Sequence, residues 1–265
     1  MTVINIKSLI RQVRKDRDVS SIQETNKSTP NARGFLEGFM GELPTAYDRL
    51  DDVSSTSLSG VKICNEFLNT TKSTAVFNEL KQQEHHSVLL RGRRCIPYGG
   101  RVLPHGLVHK DDIPSWLKLL MTHVHETTLK DMGLPAPNHA LVNMYNPGDG
   151  IMPHEDGSAY TPYAAVVSLG SGCVFDFVSK TLPRQCVAQI YLPVGSLMIF
   201  SSDAYTNVLH EFRFSKFDAI DNSVCNHAAI TRFPERLGGS VFSGEVLSRG
   251  ERISITMRHV PNYIT

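Results

Sequence analysis

Two residues in the middle of the chain have the spacing of a metal site. His154 and Asp156 close the run Asn143-Met144-Tyr145-Asn146-Pro147-Gly148-Asp149-Gly150-Ile151-Met152-Pro153-His154-Glu155-Asp156. On a strand, residues i and i+2 face the same side, so an imidazole and a carboxylate at this spacing can reach one ion. His210 is the candidate third ligand. It follows the turn-like Ser201-Ser202-Asp203-Ala204, beyond a strand ending at Phe200. Two histidines and one carboxylate on one face of an octahedral ion leave three positions open, the arrangement of non-haem Fe(II) oxygenases. Zinc hydrolases also use histidine and carboxylate, usually through a helical H-E-x-x-H, which this sequence lacks. The chain has 11 histidines, and a hydrogen-bonded core pair would have the same H-x-D signature.

A second segment bears on that choice. Arg252-Ile253-Ser254-Ile255-Thr256-Met257-Arg258 alternates strictly, with Arg252, Ser254, Thr256 and Arg258 on one face and Ile253, Ile255 and Met257 on the other. In a sandwich interior two guanidinium groups need anionic partners. A dicarboxylate co-substrate would supply them, because guanidinium binds carboxylate bidentately. The alternative is an edge strand with both arginines in solvent.

The elements around these residues change character along the chain. Asn69 is a good helix N-cap, followed by Val76, Phe77 and Leu80 at helical spacing. A second helix is expected from near Asp112, with Pro114 just inside and Gly133 just beyond its end; Leu117, Leu120, Met121 and Val124 form its apolar face. His123 and His125 lie on it but point about 200° apart around the axis, so they cannot share one metal. Short strands follow, at His139–Tyr145, Ala164–Leu169, Val174–Val178, Val187–Leu192, Ser196–Phe200 and Arg252–Val260. Helices first and many strands after predict an α+β chain with a β-sandwich or barrel backed by helices. No glycine-rich phosphate loop follows a strand, which leaves a Rossmann or P-loop reading without support.

Length and composition set the outer limits. The chain has 265 residues, 41% of them hydrophobic and 20% charged, enough for a sizeable core. Its formal net charge of +1 means that any nucleic-acid contact must come from a local patch. No apolar run approaches the roughly 18–20 residues of a membrane span. Five scattered cysteines without a C-x-x-C pair argue against a disulfide framework and suit a reducing compartment, here expected to be cytoplasm and nucleus. Residues 1–58 form a basic, Ser/Thr-rich extension, expected to be flexible and poorly ordered, with organellar targeting as the lesser reading of its basic start. The folded domain is placed at 59–265, and a monomer is expected.

Taken jointly, the segments make the sequence similar to the AlkB-like family of iron- and 2-oxoglutarate-dependent dioxygenases, most of all to the branch called AlkB homologue six. Leu141-Val142-Asn143-Met144-Tyr145 resembles the family's N-x-Y strand, Gly150 to Gly157 its H-x-D segment, and Arg252 to Arg258 its closing strand. Weaker likenesses are Arg93-Arg94 with Gly99-Gly100, Ile113 to Leu117, and Asp203-Ala204-Tyr205 ahead of His210. The resemblance spans about residues 60–260. It implies a double-stranded β-helix (jelly-roll) core flanked by helices, and Fe(II), 2-oxoglutarate and O2 as cofactors, with ascorbate as reductant. It also implies iron on His154, Asp156 and His210, with no catalytic residue beyond these ligands. The far carboxylate of 2-oxoglutarate would meet Arg252, with Asn143 and Tyr145 as hydrogen-bond donors. Ser254 stands where the bacterial pattern has Asn, which shortens or removes one bond to the co-substrate. Arg258 lies six residues from Arg252, about 20 Å along a strand, which the co-substrate alone cannot bridge; either the long side chains converge or, the preferred role, Arg258 braces Asp156 and the near end of the co-substrate. Glu211 to Glu251 is longer than compact members allow and is expected to form a surface insertion over about 211–250, next to the site.

The leading functional expectation is oxidative dealkylation of N-alkylated nucleobases, with DNA or RNA as partner. The alternatives are the same chemistry on protein side chains and a non-catalytic binding module of the same fold. Arg91, Arg93, Arg94, Tyr98 and Arg101 surround the Gly99-Gly100 turn as candidate backbone and base contacts, or as a solvated loop. Tyr160 and Tyr163 follow the metal motif and could line the substrate pocket or belong to the core.

Overall fold

In the computed structural model, which describes residues 51–52, 58–227 and 244–264, the alternating segments pair into two principal sheets. The strands in chain order are β1 (Asp51–Asp52), β2 (Val61–Cys64), β3 (Val88–Leu90), β4 (Arg93–Tyr98), β5 (Gly100–Leu103), β6 (Gly106–His109), β7 (His139–Tyr145) and β8 (Ile151–His154). They continue as β9 (Tyr163–Leu169), β10 (Cys173–Ser179), β11 (Cys186–Leu192), β12 (Leu197–Ser201), β13 (Val208–Phe212), β14 (Phe217–Ile220), β15 (Glu245–Ser248) and β16 (Arg252–Arg258). The larger sheet has the order β1-β2-β12-β9-β16-β7-β4-β3 and the smaller β11-β10-β13-β8; β5-β6 and β14-β15 are separate two-stranded pairs.

The larger sheet is covered on both faces, which explains why all residues of β9 and β16 are buried. On one face Ile253, Ile255 and Met257 of β16, with Ala165, Val167 and Leu169 of β9, pack against the helices. Helix α1 (Thr70–Gln82) contributes Val76 and Leu80, and α2 (Ser115–Val124) contributes Trp116, Leu117, Leu120, Met121 and Val124. Each such aliphatic side chain contributes about 1.5–3 kcal/mol by leaving water. On the other face Ala164, Val166, Met198 and Phe200 meet Phe175, Phe177, Ala188 and Ile190 of the smaller sheet. This second layer between the sheets is where the polar face of β16 lies. Since β16 sits between β9 and β7, the edge-strand alternative for its arginines is excluded.

The helix signals hold with one shift. The Asn69 side chain accepts the Lys72 N–H at 2.9 Å, capping α1. Helix α2 starts at Ser115, with Pro114 at the cap rather than inside the helix. Asp112 is left outside because its carboxylate accepts the Gly99 N–H at 2.7 Å. The end of α2 widens into a π turn over His125–Leu129.

Two boundaries also move. The expected insertion begins after Phe212, because Glu211 is opposite Asp176 in the β10–β13 ladder and Phe212 is opposite Ile151 in the β13–β8 ladder. Its described part includes the β14–β15 pair, whose Ile220 and Leu247 pack with Val224 on Val174 and Tyr191 of the smaller sheet. At the start of the chain, Asp51 pairs opposite Ile63 on the edge of the larger sheet. The remaining expectations for residues 1–50 and 53–57 lie outside the described residues. Among the described residues no helix is long and apolar enough to cross a membrane.

Candidate functional site

Antiparallel pairing of β8 with β13 sets His154 opposite His210, their ring centroids 4.2 Å apart. Gly150 permits this approach: a Cβ there would lie 2.4 Å from the Phe212 carbonyl oxygen. Asp156 follows two residues after β8, and one ligand atom from each of His154, Asp156 and His210 lies within 4.8 Å of the others. The His154 Nδ1–H donates to the Met152 carbonyl at 2.9 Å, which directs Nε2 toward the shared space. The His210 ring is stacked on Phe175 at 5.7 Å and tilted against Phe200 at 5.0 Å, and its Nε2 stands 4.0 Å from Asp156 Oδ1.

Electrostatics prepare the same three groups for a cation. Burial pushes the His210 pKa down to about 3 and also lowers that of His154, so both imidazoles are neutral near pH 7 with a lone pair to give. Burial is the largest single influence and acts to raise the Asp156 carboxyl, but the Arg258 guanidinium together with His210 and His154 holds the group below the usual carboxylate range. Arg258 makes this contact bidentately, Nε to Oδ2 at 2.8 Å and Nη2 to Oδ1 at 2.6 Å. The remaining Nη1 is buried and has no partner among the described residues. The Tyr160 ring lies 5.1 Å from the guanidinium, and the buried His139 stands 5.8 Å from Tyr160 by ring centroids. Two neutral imidazoles and an ionised, braced carboxylate form a donor set that fits Fe(II).

At the other end of the same strand face, Arg252 is 3% exposed. Its Nε donates to Ser168 Oγ at 3.1 Å, and its guanidinium carbon lies 5.4 Å from the Tyr145 ring and 5.0 Å from the Phe212 ring. No carboxylate pairs with it among the described residues. A buried guanidinium in that state calls for an anionic ligand, so the residues fit the far carboxylate of 2-oxoglutarate. Ser254 and Asn143 are buried and directly opposite in the β16–β7 ladder, and Tyr145 is opposite Arg252. The structure therefore brings Asn143, Tyr145, Arg252 and Ser254 together, and sets Arg258 apart on Asp156.

The expected basic and aromatic substrate contacts are split by strand geometry. Arg93 and Arg94 are neighbours on β4 and point to opposite faces. Arg93 Nε donates to Asn143 Oδ1 at 3.0 Å, inside the co-substrate end of the site rather than on an outer phosphate-binding surface. Arg94 Nε donates to Ser87 Oγ at 2.7 Å and lies 3.7 Å from Glu84, on the helix-covered side. Tyr98 shares that side and donates to Gln83 Oε1 from within the helix-packed core, so neither it nor Arg94 reaches the metal end. Tyr163 is also a core residue, fully buried with its hydroxyl on the Pro135 carbonyl at 2.7 Å. Of Arg93, Arg94, Tyr98 and Tyr160, all expected to touch substrate, Tyr160 is the one next to Arg258. His123 and His125 are engaged elsewhere, with Phe67 and Glu126.

Three contributors escaped the sequence reading: Ser168, Phe212 and His139. Ser168 is the one polar residue in the apolar run Ala164 to Leu169 and falls on the inner face, a signal that alternation alone could have exposed. Nothing local marked Phe212.

Residues 62–258 match the model of the 2OG-Fe(II) oxygenase superfamily. The chain is 32% identical over 185 residues to "Probable RNA/DNA demethylase ALKBH6" of Danio rerio, covering 66% of this chain and 74% of that protein. It is 29% identical over 161 residues to "tRNA (carboxymethyluridine(34)-5-O)-methyltransferase ALKBH8" of Mus musculus, covering 58% of this chain and 22% of the relative. The solved structure of OsALKBH1 superposes with a TM-score of 0.48 at 15% identity, covering 76% of this chain and 98% of that one.

Proposed function

Because the chain belongs to the 2OG-Fe(II) oxygenase superfamily and to its AlkB-like members, and is thus an iron- and 2-oxoglutarate-dependent dioxygenase, we propose that it removes N-alkyl groups from nucleobases of DNA or RNA. The observation that carries the reading is a single buried strand face. One end braces the carboxylate of a His-Asp-His cluster and the other holds a guanidinium that no carboxylate pairs with among the described residues. The names of the two relatives, "Probable RNA/DNA demethylase" and a tRNA methyltransferase, support the nucleic-acid substrate.

Iron with 2-oxoglutarate and O2 would supply the oxidising power that hydroxylates the N-alkyl carbon, after which the product collapses to an aldehyde and the free amine. His154, Asp156 and His210 would hold the ion. Arg258 keeps Asp156 ionised and fixes the plane of its carboxylate. Arg252, held by Ser168, would receive the far carboxylate of 2-oxoglutarate, with Ser254, Asn143 and Tyr145 alongside. Arg93 holds the Asn143 side chain by its oxygen and so orients the amide. Phe175 and Phe200 exclude water from the His210 side and lock its ring. Tyr160 presents an aromatic ring beside Arg258 and Asp156, where a flat base could stack.

The test is incubation with Fe(II), ascorbate, 2-oxoglutarate and oligonucleotides carrying single N-methylated bases, beside a pool of methylated peptides, with mass spectrometry of both. Loss of one methyl from an oligonucleotide, matched by succinate and formaldehyde, is expected. Oxidation confined to the peptides would replace the nucleic-acid reading with the protein-substrate one.

A further inference from the structure

Outside the metal cluster, the most deeply buried ion pair of the described chain belongs to the insertion. Arg249 and Asp218 are 7% and 6% exposed. Arg249 Nε donates to Asp218 Oδ2 at 2.6 Å, its Nη2 donates to Oδ1, and its Nη1 donates to the Arg213 carbonyl. Nothing in the proposed reaction uses this pair. Burying two charges offers little net stability compared with apolar residues of the same volume, so its location is the more informative property.

That location is the back of the co-substrate end. The Arg249 guanidinium carbon lies 4.1 Å from the centroid of the Phe212 ring. The same ring is 5.0 Å from the Arg252 guanidinium carbon and meets the Tyr145 ring edge-on at 4.9 Å. Phe212 is thus held between the insertion's arginine and the two residues proposed to receive the far carboxylate. The Asp218 carboxylate is committed bidentately to Arg249. It therefore does not neutralise Arg252, whose charge stays available to a ligand.

We propose that the insertion is a working part of the co-substrate pocket: the Arg249–Asp218 pair seats Phe212 as an end wall that sets the length of the 2-oxo dicarboxylate accepted. This rests on the assignment of Arg252 to the far carboxylate. Arg249 is a positioning residue, acting through Phe212. Its guanidinium prevents the ring from retreating, so a five-carbon acid fits against Arg252 and a six-carbon acid does not.

The experiment is calorimetric titration of Mn(II)-loaded full-length protein, without O2, with 2-oxoglutarate and with 2-oxoadipate. The double variant Arg249→Met with Asp218→Leu removes both charges at similar volume and is expected to melt within a few degrees of wild type. It should bind 2-oxoglutarate about 30-fold more weakly, the scale of one desolvated cation–π contact. Its preference for 2-oxoglutarate over 2-oxoadipate should also fall, by about 30-fold on the same scale. A loss of stability alone would not move that preference. Phe212→Leu, which leaves the ion pair intact, should lose the same selectivity and decides the matter if the double variant does not fold. Wild-type affinity and selectivity in either folded variant overturn the proposal. Absence of 2-oxoglutarate binding by the wild type would instead overturn the oxygenase assignment of the site.

Discussion

Replacing Arg252 by Met keeps the bulk of the side chain and removes its charge. Arg252 is buried, anchored by a single bond to Ser168 Oγ, and unpaired among the described residues. Its loss would leave the far carboxylate of 2-oxoglutarate in a low-dielectric wall between the Tyr145 and Phe212 rings, without the guanidinium that faces it there. Stranding one partner of a buried charge pair costs about 3–5 kcal/mol, equivalent to roughly 150- to 5,000-fold in affinity. The apparent KM for 2-oxoglutarate should rise on that scale, while kcat at saturating co-substrate changes little, since the contact is the same in ground and transition states. A matched assay uses 2-oxopentanoate, which lacks the far carboxylate. Wild type should discriminate strongly against it, and Arg252→Met should bind the two acids almost equally. If the variant keeps the wild-type preference for 2-oxoglutarate, Arg252 does not receive the carboxylate and the assignment fails.

His154→Ala, Asp156→Ala and His210→Ala should each abolish 2-oxoglutarate turnover and weaken Mn(II) binding; a variant that titrates with metal as wild type is misassigned. The metal-free protein should be acid-labile through His139. Burial, with Arg258 nearby, lowers its pKa to about 4, while the unfolded chain takes up the proton near 6.5. Stability should therefore fall as pH drops from 6.5 toward 4, by about 3 kcal/mol from this group. Urea unfolding of wild type and His139→Gln at pH 7 and pH 4.5 checks it, and an unchanged slope in the variant refutes it. Arg93→Gln should raise the KM for 2-oxoglutarate by releasing Asn143, whereas Arg94→Gln, on the other face of β4, should leave it unchanged. Equal effects would mean that the two side chains are not separated as described.

Much of the site was legible because its signals are periodic. His139–Tyr145 is a strand over the very residues indicated, the six-residue spacing of Arg252 and Arg258 survives folding as a shared face, and His154 and Asp156 converge although Asp156 lies beyond the end of β8. The basic candidates around the Gly99-Gly100 turn separate because Arg93 to Tyr98 is neither a turn flank nor a solvated loop. Pro97 disguises a six-residue strand, and on a strand adjacent arginines part company. Contacts that span long stretches of chain could not be paired from the local sequence. Ser168 meets Arg252 across 84 residues and Arg249 meets Asp218 across 31; both pairings are made by tertiary packing, not by any neighbour in the chain.

The central position of β16 has a consequence for how this protein can change. Its odd and even residues serve different layers, one packed on the helices and one facing the smaller sheet. A single inserted or deleted residue within the strand would exchange the two, driving arginines into the helix-packed layer and isoleucines into the site. Length changes in β16 should therefore destroy folding and catalysis together. Point substitutions on the polar face can silence the chemistry and leave the scaffold standing. Descendants that have lost activity but kept the fold should accordingly carry exchanged side chains in β16, at unaltered strand length.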